Sequence, residues 1–599
     1  MTTATRPARS RAQRRIGDTR WGKALAVTLA LTTVTAVLFL GYLRVSWTVA
    51  ATSDGAAEAL QARDMLAGNW LLHGWMIGDV SFYTTELPEY MLVELIRPFG
   101  VGVIHVAAAA TYTLLVLAAY WLARGRAVGR AGLVRGVLAA VIMLAPQLGY
   151  GAFVLLLSPD HVGTQVPLLI GWLLLDLAPR RWWVPTLLCL LLAWVQFADR
   201  AAVLTAVLPL MVVGAVTAVR AALRRRSARG EPAGGYELAL IGAATAVRAA
   251  LRRRPARGES AGRYELALIG AAIGSVGLSW AAARLLAAAG GFAAHPIPLT
   301  LAPLSLLWTH ARLTGWGVLE LYGANFAGVT GWAGVTFAAL HTTGLTLATA
   351  ALAVALARLL RPGLAQPDGA GLVDSVLAVA IVANLLSYLL SIDPGTMLGT
   401  GYEAREIAAV LPLGAVLAGR IFGPALRWPG IRTPWGSEAK ATVRSISTVF
   451  WFSAVFLVIA GYGSAFGYAA AQASRPGEYS VLADWLVAHG LRYGLGGGPS
   501  ANVVTVDSGG QVTVEPTEVR MGRVGALLYQ SSAAAFDPRR HDARFLVTQL
   551  PAVGPARPAE TTASYRAVLA TFGPSARTYR FDGYTVLVWN VNLLTRLRE

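Results

Sequence analysis

The stretch ALAVTLALTTVTAVLFLGYLRVSW, residues 24–47, decides the fold class of this protein. A helix that crosses the hydrocarbon core of a bilayer needs about 20 predominantly apolar residues. Because this stretch holds only one charged residue, Arg44, it predicts a membrane span. The preceding residues 1–23 are basic and polar, and no small-residue cleavage site follows where a signal peptide would need one. We therefore expect an uncleaved first span behind a basic cytoplasmic tail.

The same pattern continues along most of the chain. Of its 599 residues, 55% are hydrophobic and only 14% are charged, whereas soluble domains carry about 25% charged residues. The apolar runs predict a mainly α, polytopic membrane domain over residues 24–470 with about eleven spans, at 24–47, 101–123, 136–157, 163–177, 182–197, 201–219, 266–289, 335–357, 372–392, a segment ending at 419, and 446–466.

The charge distribution predicts the topology. The net charge is +19, but the arginines cluster in alternate short loops, which is the positive-inside pattern rather than a nucleic-acid-binding surface. Residues 48–100 then form the first outer loop, and residues 217–272 form an Arg-rich cytoplasmic loop that contains a tandem repeat. Two copies are too few for a repeat array, so we interpret the repeat as a local duplication. The segment ending at 419 is short and holds Pro412; if it is re-entrant, the C-terminus moves inside.

Residues 474–599 differ in character and predict a small α/β domain, on the outer face by parity. SVLADWLVAHGLRYG and TTASYRAVLATFG are typical of helices, and RFLVTQL of a short strand. Two segments with alternating β-branched or aromatic residues around a turn, NVVTVDSGGQVTVEP and TYRFDGYTVLVWN, predict β-hairpins. The plasma membrane is the expected location, and the high Ala, Gly and Arg content is typical of a GC-rich bacterial genome.

The first outer loop carries the first candidate for chemistry. Ser53 is suited to cap a helix, and Asp54 falls in its first turn. An acid there commonly complements the helix dipole; the alternative is a general base at the mouth of a cavity between the spans. The spacing alone favours the first interpretation. We expect Glu58 and Asp64 on the same helix to face water.

Further charged groups collect at the outer ends of other spans, and each has a plain structural alternative. An acid or arginine close to hydrocarbon is costly and often functional, but loop acids are usually solvated and an acid–base pair can neutralise itself. Arg405 could bind a phosphate through its guanidinium fork. The remaining candidates for a polar pocket are Glu86, Glu89, Tyr90, Asp160, His161, Asp199 and Arg200.

Several chemistries have no support in the sequence. No P-loop, HExxH, GxSxG or DxD motif is present, and the one cysteine, Cys189, lies in an apolar run. Nucleotide hydrolysis, zinc chemistry and a disulfide framework are therefore not indicated.

The acid-bearing first outer loop SDGAAEALQARDMLAGNWLLHGW, the number of spans and the outer C-terminal domain together resemble the GT-C superfamily of membrane glycosyltransferases, of the protein O-mannosyltransferase and aminoarabinose transferase type. The resemblance implies a polyprenyl-phosphate-linked sugar as donor, inversion at the anomeric carbon and an extracytoplasmic acceptor. The position that matches the superfamily's first-loop acid is Asp54. A carboxylate base would activate the acceptor hydroxyl, and Arg200 and Arg405, with His161, would stabilise the leaving phosphate.

This resemblance leaves two points open. No unambiguous metal-ligand set stands out in the outer loops, so a divalent metal is neither assigned nor excluded. Two other functions also stay open: a transporter or flippase for a glycolipid, which predicts charges deep inside spans and broken helices, and a non-catalytic envelope assembly subunit, for which Asp54 is dispensable.

Overall fold

The computed structural model describes residues 10–157, 160–228, 263–295, 300–327, 329, 331–361, 371–395, 403–424, 456–548 and 565–597. The described part is mainly helical. Its helices are α1 Ser10–Ser46, α2 Ser53–Leu66, α3 Glu86–Ile96, α4 Val101–Arg124, α5 Gly129–Met143, α6 Tyr150–Leu156, α7 Asp160–Leu177, α8 Val184–Ala198, α9 Leu208–Ala228, α10 Arg263–Ala288, α11 Leu307–Tyr322, α12 Gly331–Leu360, α13 Gly371–Leu390, α14 Val410–Phe422, α15 Phe456–Ala470, α16 Ser480–Ala488, α17 Ala501–Asp507 and α18 Tyr565–Phe572.

Among the described residues, six helices are long and apolar enough to cross a membrane, or seven if the bent pair α6 and α7 forms one span. The six are Trp21–Ser46, Val101–Arg124, Val203–Ala221, Arg263–Ala288, Gly331–Leu360 and Gly371–Leu390. This is the architecture of a multi-pass membrane protein.

The expected count of about eleven spans is not confirmed. The segment predicted at 136–157 is divided between α5 and α6, with Pro146 in the break. Two other predicted spans, α8 and α14, have 15 and 13 residues, and helices of that length rise only about 20 Å. Residues 446–455 of the last predicted span, and residues 229–262 of the predicted Arg-rich loop, lie outside the described residues.

A buried ionic cluster ties together helix ends on the side of the helices opposite the C-terminal sheet. The Arg420 guanidinium donates to Asp176 at 3.1 Å, to Asp374 at 2.5 Å and to the Leu122 carbonyl at 3.0 Å. The Arg420 side chain is only 3% exposed. Asp176 of α7 and Asp374 of α13 make this burial possible, because a buried charge needs partners of opposite charge.

Arg420→Met should therefore lower the stability of the detergent-solubilised protein strongly. Removal of one partner leaves two carboxylates buried without their counter-charge, which costs about 3–5 kcal/mol. The measurement is the melting temperature in detergent, with the exposed Arg361→Met as the matched control. Equal melting temperatures for the two variants would show that the cluster contributes nothing to stability.

The C-terminal part of the chain is built on a six-stranded sheet with the order β5-β4-β3-β7-β9-β8. Its central strands, β3, β4 and β7, pair in parallel, and the outer pairs are antiparallel. The strands are β3 Tyr493–Gly497, β4 Thr513–Arg520, β5 Arg523–Ala526, β7 Phe545–Val547, β8 Arg577–Phe581 and β9 Tyr584–Val588. The predicted hairpin at TYRFDGYTVLVWN is confirmed as β8 and β9, which turn at Asp582-Gly583.

The hairpin predicted at NVVTVDSGGQVTVEP is wrong. Its first half forms helix α17, and only its second half forms a strand, β4. The β-branched residues favour a strand locally, but β3 and β4 are parallel and need a crossover between them. Helix α17 supplies that crossover, and its residues 501–506 are buried against α2 and β4.

A second, three-stranded sheet joins three distant segments of the chain. Its central strand β1, Trp75–Ile77, lies in the first loop after α2. It pairs with β2, Ala293–Ala294, on one side and with β6, Ser531–Ser532, on the other. This small sheet fixes the C-terminal domain against the first loop, so residues near 530 face the start of α2.

Candidate functional site

A small cavity lies where the C-terminal domain meets the ends of the membrane helices. We call it the sheet-face cavity; its lining residues are Asp54, Ala57, Glu58, Gln61, Gly78, Asp79, Val80, Phe82, His161, Arg405, Glu406, Tyr529 and Gln530. The space open to water-sized molecules is about 40 Å³, enough for roughly two or three waters. The cavity is therefore closed to a sugar until its walls move apart.

Asp54 lines this cavity, and residues from distant parts of the chain donate hydrogen bonds to its two oxygens. Arg405 Nη1 donates to Asp54 Oδ2 at 2.7 Å, and Gln530 Nε2 donates to Asp54 Oδ1 at 2.6 Å. Helix α2 begins at Ser53 and is capped by Thr52 rather than by the predicted Ser53. Asp54 thus does lie in the first turn, but its carboxylate pairs with a guanidinium and an amide instead of serving the helix dipole alone.

His161 bridges two carboxylates on the neighbouring wall. Its Nδ1 lies 3.0 Å from Asp199 Oδ2, and its Nε2 lies 3.3 Å from Glu406 Oε1. The backbone N–H of Ala201 donates to the second Asp199 oxygen at 2.8 Å. Arg405 Nε is 3.7 Å from the same Glu406 oxygen. One continuous polar chain therefore runs from Gln530 through Asp54, Arg405, Glu406 and His161 to Asp199.

The loop after β1 brings further groups to this network. The backbone N–H groups of Ser81 and Phe82 both donate to the Ala198 carbonyl, at 3.0 and 3.1 Å. This anchor places the Phe82 ring edge-on to His161, with 5.9 Å between ring centroids. It also brings Asp79 into the cavity lining.

The pKa values of two acids in the cavity, Asp79 and Glu406, shift in opposite directions. Burial, followed by the nearby Glu406, raises the pKa of Asp79 above its usual value. Burial alone would raise the pKa of Glu406 as well, but His161 and Arg405 outweigh it and hold that pKa at about 2. Glu406 thus favours its charged form more than a solvated glutamate does, whereas Asp79 favours its protonated form more than a solvated aspartate does.

The structure brings together four of the residues that the sequence singled out: Asp54, His161, Asp199 and Arg405. Arg200 does not join them; it is exposed and is absent from the cavity lining. Asp160 begins helix α7, but its side chain lies outside the described part of the structure.

The three candidates of α3 lie beside the cavity rather than in it. Glu86 is fully buried, and burial raises its pKa well above the usual range. Glu89 accepts a hydrogen bond from Thr111, and burial raises its pKa to about 7. Tyr90 is fully buried in an apolar cluster that joins α2, α4 and the C-terminal domain.

Four cavity residues were missed by the sequence prediction or placed wrongly. Glu58, expected to face water, is 4% exposed and lines the cavity. Glu406 was not predicted, although its position beside Arg405 was a usable signal. No sequence signal pointed to Asp79 or Gln530, because only the three-stranded sheet and the hydrogen bonds from Ser81 and Phe82 to Ala198 bring them to Asp54.

Among the described residues, no three His, Cys, Asp or Glu side chains converge in a way that could hold a metal ion. The network pairs its acids with Arg405 and His161 instead.

No known family model matches this sequence, and no curated protein matches it. Among solved structures, the chain is similar to the apo oligosaccharyltransferase of Archaeoglobus fulgidus, with 11% identity, a TM-score of 0.43, and coverage of 87% of this chain and 69% of that one. A structure of that enzyme with an inhibitory peptide and a dolichol-phosphate gives 11% identity, a TM-score of 0.41, and coverage of 86% and 69%.

Proposed function

We propose that this protein is a GT-C-type membrane glycosyltransferase that transfers a sugar from a polyprenyl-phosphate donor to an extracytoplasmic acceptor, with inversion. The observation that carries the proposal is the Asp54–Arg405 pair. A potential proton acceptor and a potential phosphate ligand, 351 residues apart in sequence, meet in one cavity beside the membrane helices. Neither a nucleotide nor a nucleic acid is needed as a partner.

In the proposed reaction Asp54 is the general base. The acceptor hydroxyl oxygen attacks the anomeric carbon from the face opposite the phosphate and gives its proton to the Asp54 carboxylate. The bond between the anomeric carbon and the phosphate oxygen breaks, and the phosphate leaves with the electron pair. Attack opposite the leaving group inverts the configuration.

Arg405 would bind the leaving phosphate. In the closed cavity its guanidinium is engaged by Asp54 at 2.7 Å, which also keeps Asp54 from accepting a proton. A donor phosphate that takes Arg405 as its partner would release the carboxylate. His161 is held between Asp199 and Glu406 and would add positive charge beside Arg405. Base activation would thus depend on donor binding.

An apolar groove supports a lipid-borne donor. It lies between α3, α4, α7 and α8, with a volume of about 500 Å³, and Leu92, Leu114 and Trp194 line it. These three side chains are at least half exposed, as side chains that face lipid are. Gly163 lines the same groove and lies two residues from His161. A polyprenyl chain in this groove would have its phosphate end near the cavity.

One feature favours the transporter or flippase alternative. Helices α6 and α7 are bent by 64° relative to each other, and broken helices are common in transporters. The buried charges, however, lie at helix ends: Asp374 in the first turn of α13, Asp176 near the end of α7 and Arg420 in the last turn of α14. A transport site needs charges near the middle of the membrane.

Mass spectrometry of the cell envelope tests the proposed function. A strain that lacks this protein should lose one sugar from an envelope glycan and accumulate the lipid-linked form of that sugar, because transfer is the step removed. Wild-type protein should reverse both changes. An unchanged envelope would contradict the proposal, and so would loss of the sugar without accumulation of its lipid-linked form.

A further inference from the structure

Gln530 is held rigidly at the wall that the C-terminal domain contributes to the cavity. It directly precedes strand β6, and its backbone carbonyl oxygen accepts a hydrogen bond from Asn502 Nδ2 at 3.0 Å. Its φ of +56° lies in the left-handed region, which a residue with a long side chain adopts at a cost. The surrounding sheet therefore fixes this side chain toward Asp54 rather than toward solvent.

The Gln530 amide uses only one of its two ends. Its Nε2 donates to Asp54 Oδ1, whereas its Oε1 is buried and accepts no hydrogen bond from any described residue. Gln530 is only 6% exposed. A buried amide oxygen without a partner is costly, so this acceptor points to a hydrogen-bond donor that the bound ligand brings.

The other polar groups on this side of the cavity indicate the kind of ligand. Asp54, Glu58, Gln61 and Asp79, whose side chains all carry oxygen atoms, line the same cavity as Gln530. A wall rich in acceptor oxygens favours a ligand rich in hydroxyl donors. A neutral sugar offers adjacent hydroxyls of this kind, whereas one serine or threonine side chain of a peptide offers a single hydroxyl.

We propose that Gln530 recognises the acceptor, that the acceptor is a neutral carbohydrate, and that a hydroxyl next to the reacting one donates to Gln530 Oε1 while Gln530 Nε2 orients Asp54. This inference rests on the proposed function and names its acceptor class. It gives the C-terminal domain a direct part in substrate selection.

The test uses the full-length protein in detergent. A lipid extract of the deletion strain supplies the donor, and the envelope polysaccharide of that strain, treated with protease, is the acceptor probe. Gln530→Met keeps the side-chain length but removes both amide functions. We expect the apparent KM for the polysaccharide to rise about tenfold, as for the loss of one buried hydrogen bond, and the KM for the lipid extract to stay within twofold.

Two further variants separate recognition from a structural role. Gln511→Met alters an exposed glutamine of the same domain and should change neither KM. Gln530→Asn keeps both amide functions, fits the left-handed backbone and should raise only the KM for the polysaccharide, by less than Gln530→Met. If Gln530→Met fails to fold, the KM of Gln530→Asn for the polysaccharide still tests the inference.

Three results would overturn the inference. Equal changes in both KM values with a lower melting temperature would mean that Gln530 is only structural. Transfer by the wild-type protein to untreated envelope but not to the protease-treated polysaccharide would mean that the acceptor is a protein. No transfer by the wild-type protein to either would remove the proposed function itself, and this inference with it.

Discussion

Asp54→Asn should lower the rate of sugar transfer about 10³-fold. The asparagine has nearly the same shape but cannot take a proton from the acceptor hydroxyl, and general base catalysis contributes about 10²–10⁴-fold. The measurement is the initial rate of transfer in detergent with saturating lipid extract and envelope acceptor. The KM for the lipid extract should not rise, since Arg405, His161 and the groove are untouched and Arg405 loses the carboxylate that competes with the donor phosphate.

Asp484→Asn is the matched control for this variant. Asp484 is an exposed aspartate of helix α16 and lies outside the cavity lining, so its neutralisation should leave the rate unchanged. A full rate for Asp54→Asn would mean that the carboxylate serves only as a partner for Arg405 and Gln530. The non-catalytic assembly subunit would then become the better account.

Arg405→Met should have the second largest effect, a loss of about 10²–10³-fold in kcat/KM for the lipid donor. Loss of one preorganised donor to a developing charge typically costs this much. Arg405→Lys keeps the charge but loses the planar fork, so we expect it to recover only part of the loss. The measurement is the rate as a function of lipid extract at a fixed acceptor concentration.

The exposed Arg492→Met controls for a general loss of positive charge and should behave as wild type. The proposed release of Asp54 by the donor phosphate adds a second expectation. If Arg405 only neutralises Asp54, its replacement should free the base and raise the rate. A raised rate would contradict the assignment of Arg405 as the phosphate ligand.

Four ionisable residues of the site could be predicted from the sequence because each breaks an apolar pattern at a span end. Asp54, His161, Asp199 and Arg405 all stand where a charge is costly unless it has a partner or a function. The sequence could not show that they meet, since their pairing depends on how α2, α7, α8 and the segment before α14 pack. It also could not separate Arg405, which lines the cavity, from Arg200, which is exposed.

The residues that the C-terminal domain contributes to the cavity could not be predicted. Gln530 is an uncharged residue in a loop, and only the pairing of Ser531 and Ser532 with β1 brings it to Asp54. Helix α17 was mistaken for a strand because local β-branched propensity was overridden by the crossover between two parallel strands. Both failures share a cause, which is that contacts between distant segments decided the local structure.

Among the described residues, some of the predicted spans are not found as membrane-crossing helices, for a related reason. Hydropathy reports how apolar a segment is, but not whether it is continuous or covered by other helices. Helix α14 is as apolar as a span, yet it has 13 residues, and its residues 410–420 are all buried inside the protein. The segment predicted at 136–157 is not one continuous helix, because it is interrupted near Pro146.

Transfer by the purified wild-type protein in detergent tests the central claim most directly. A micelle does not separate two compartments, so a transporter or flippase has no measurable activity in detergent. A transferase can still catalyse its reaction there. We predict that the mass of the envelope acceptor increases by one sugar and that free polyprenyl phosphate appears in equal amount, with an inverted anomeric configuration in the product. No mass increase, with a lipid extract and an acceptor that crude wild-type membranes do use, would contradict the account.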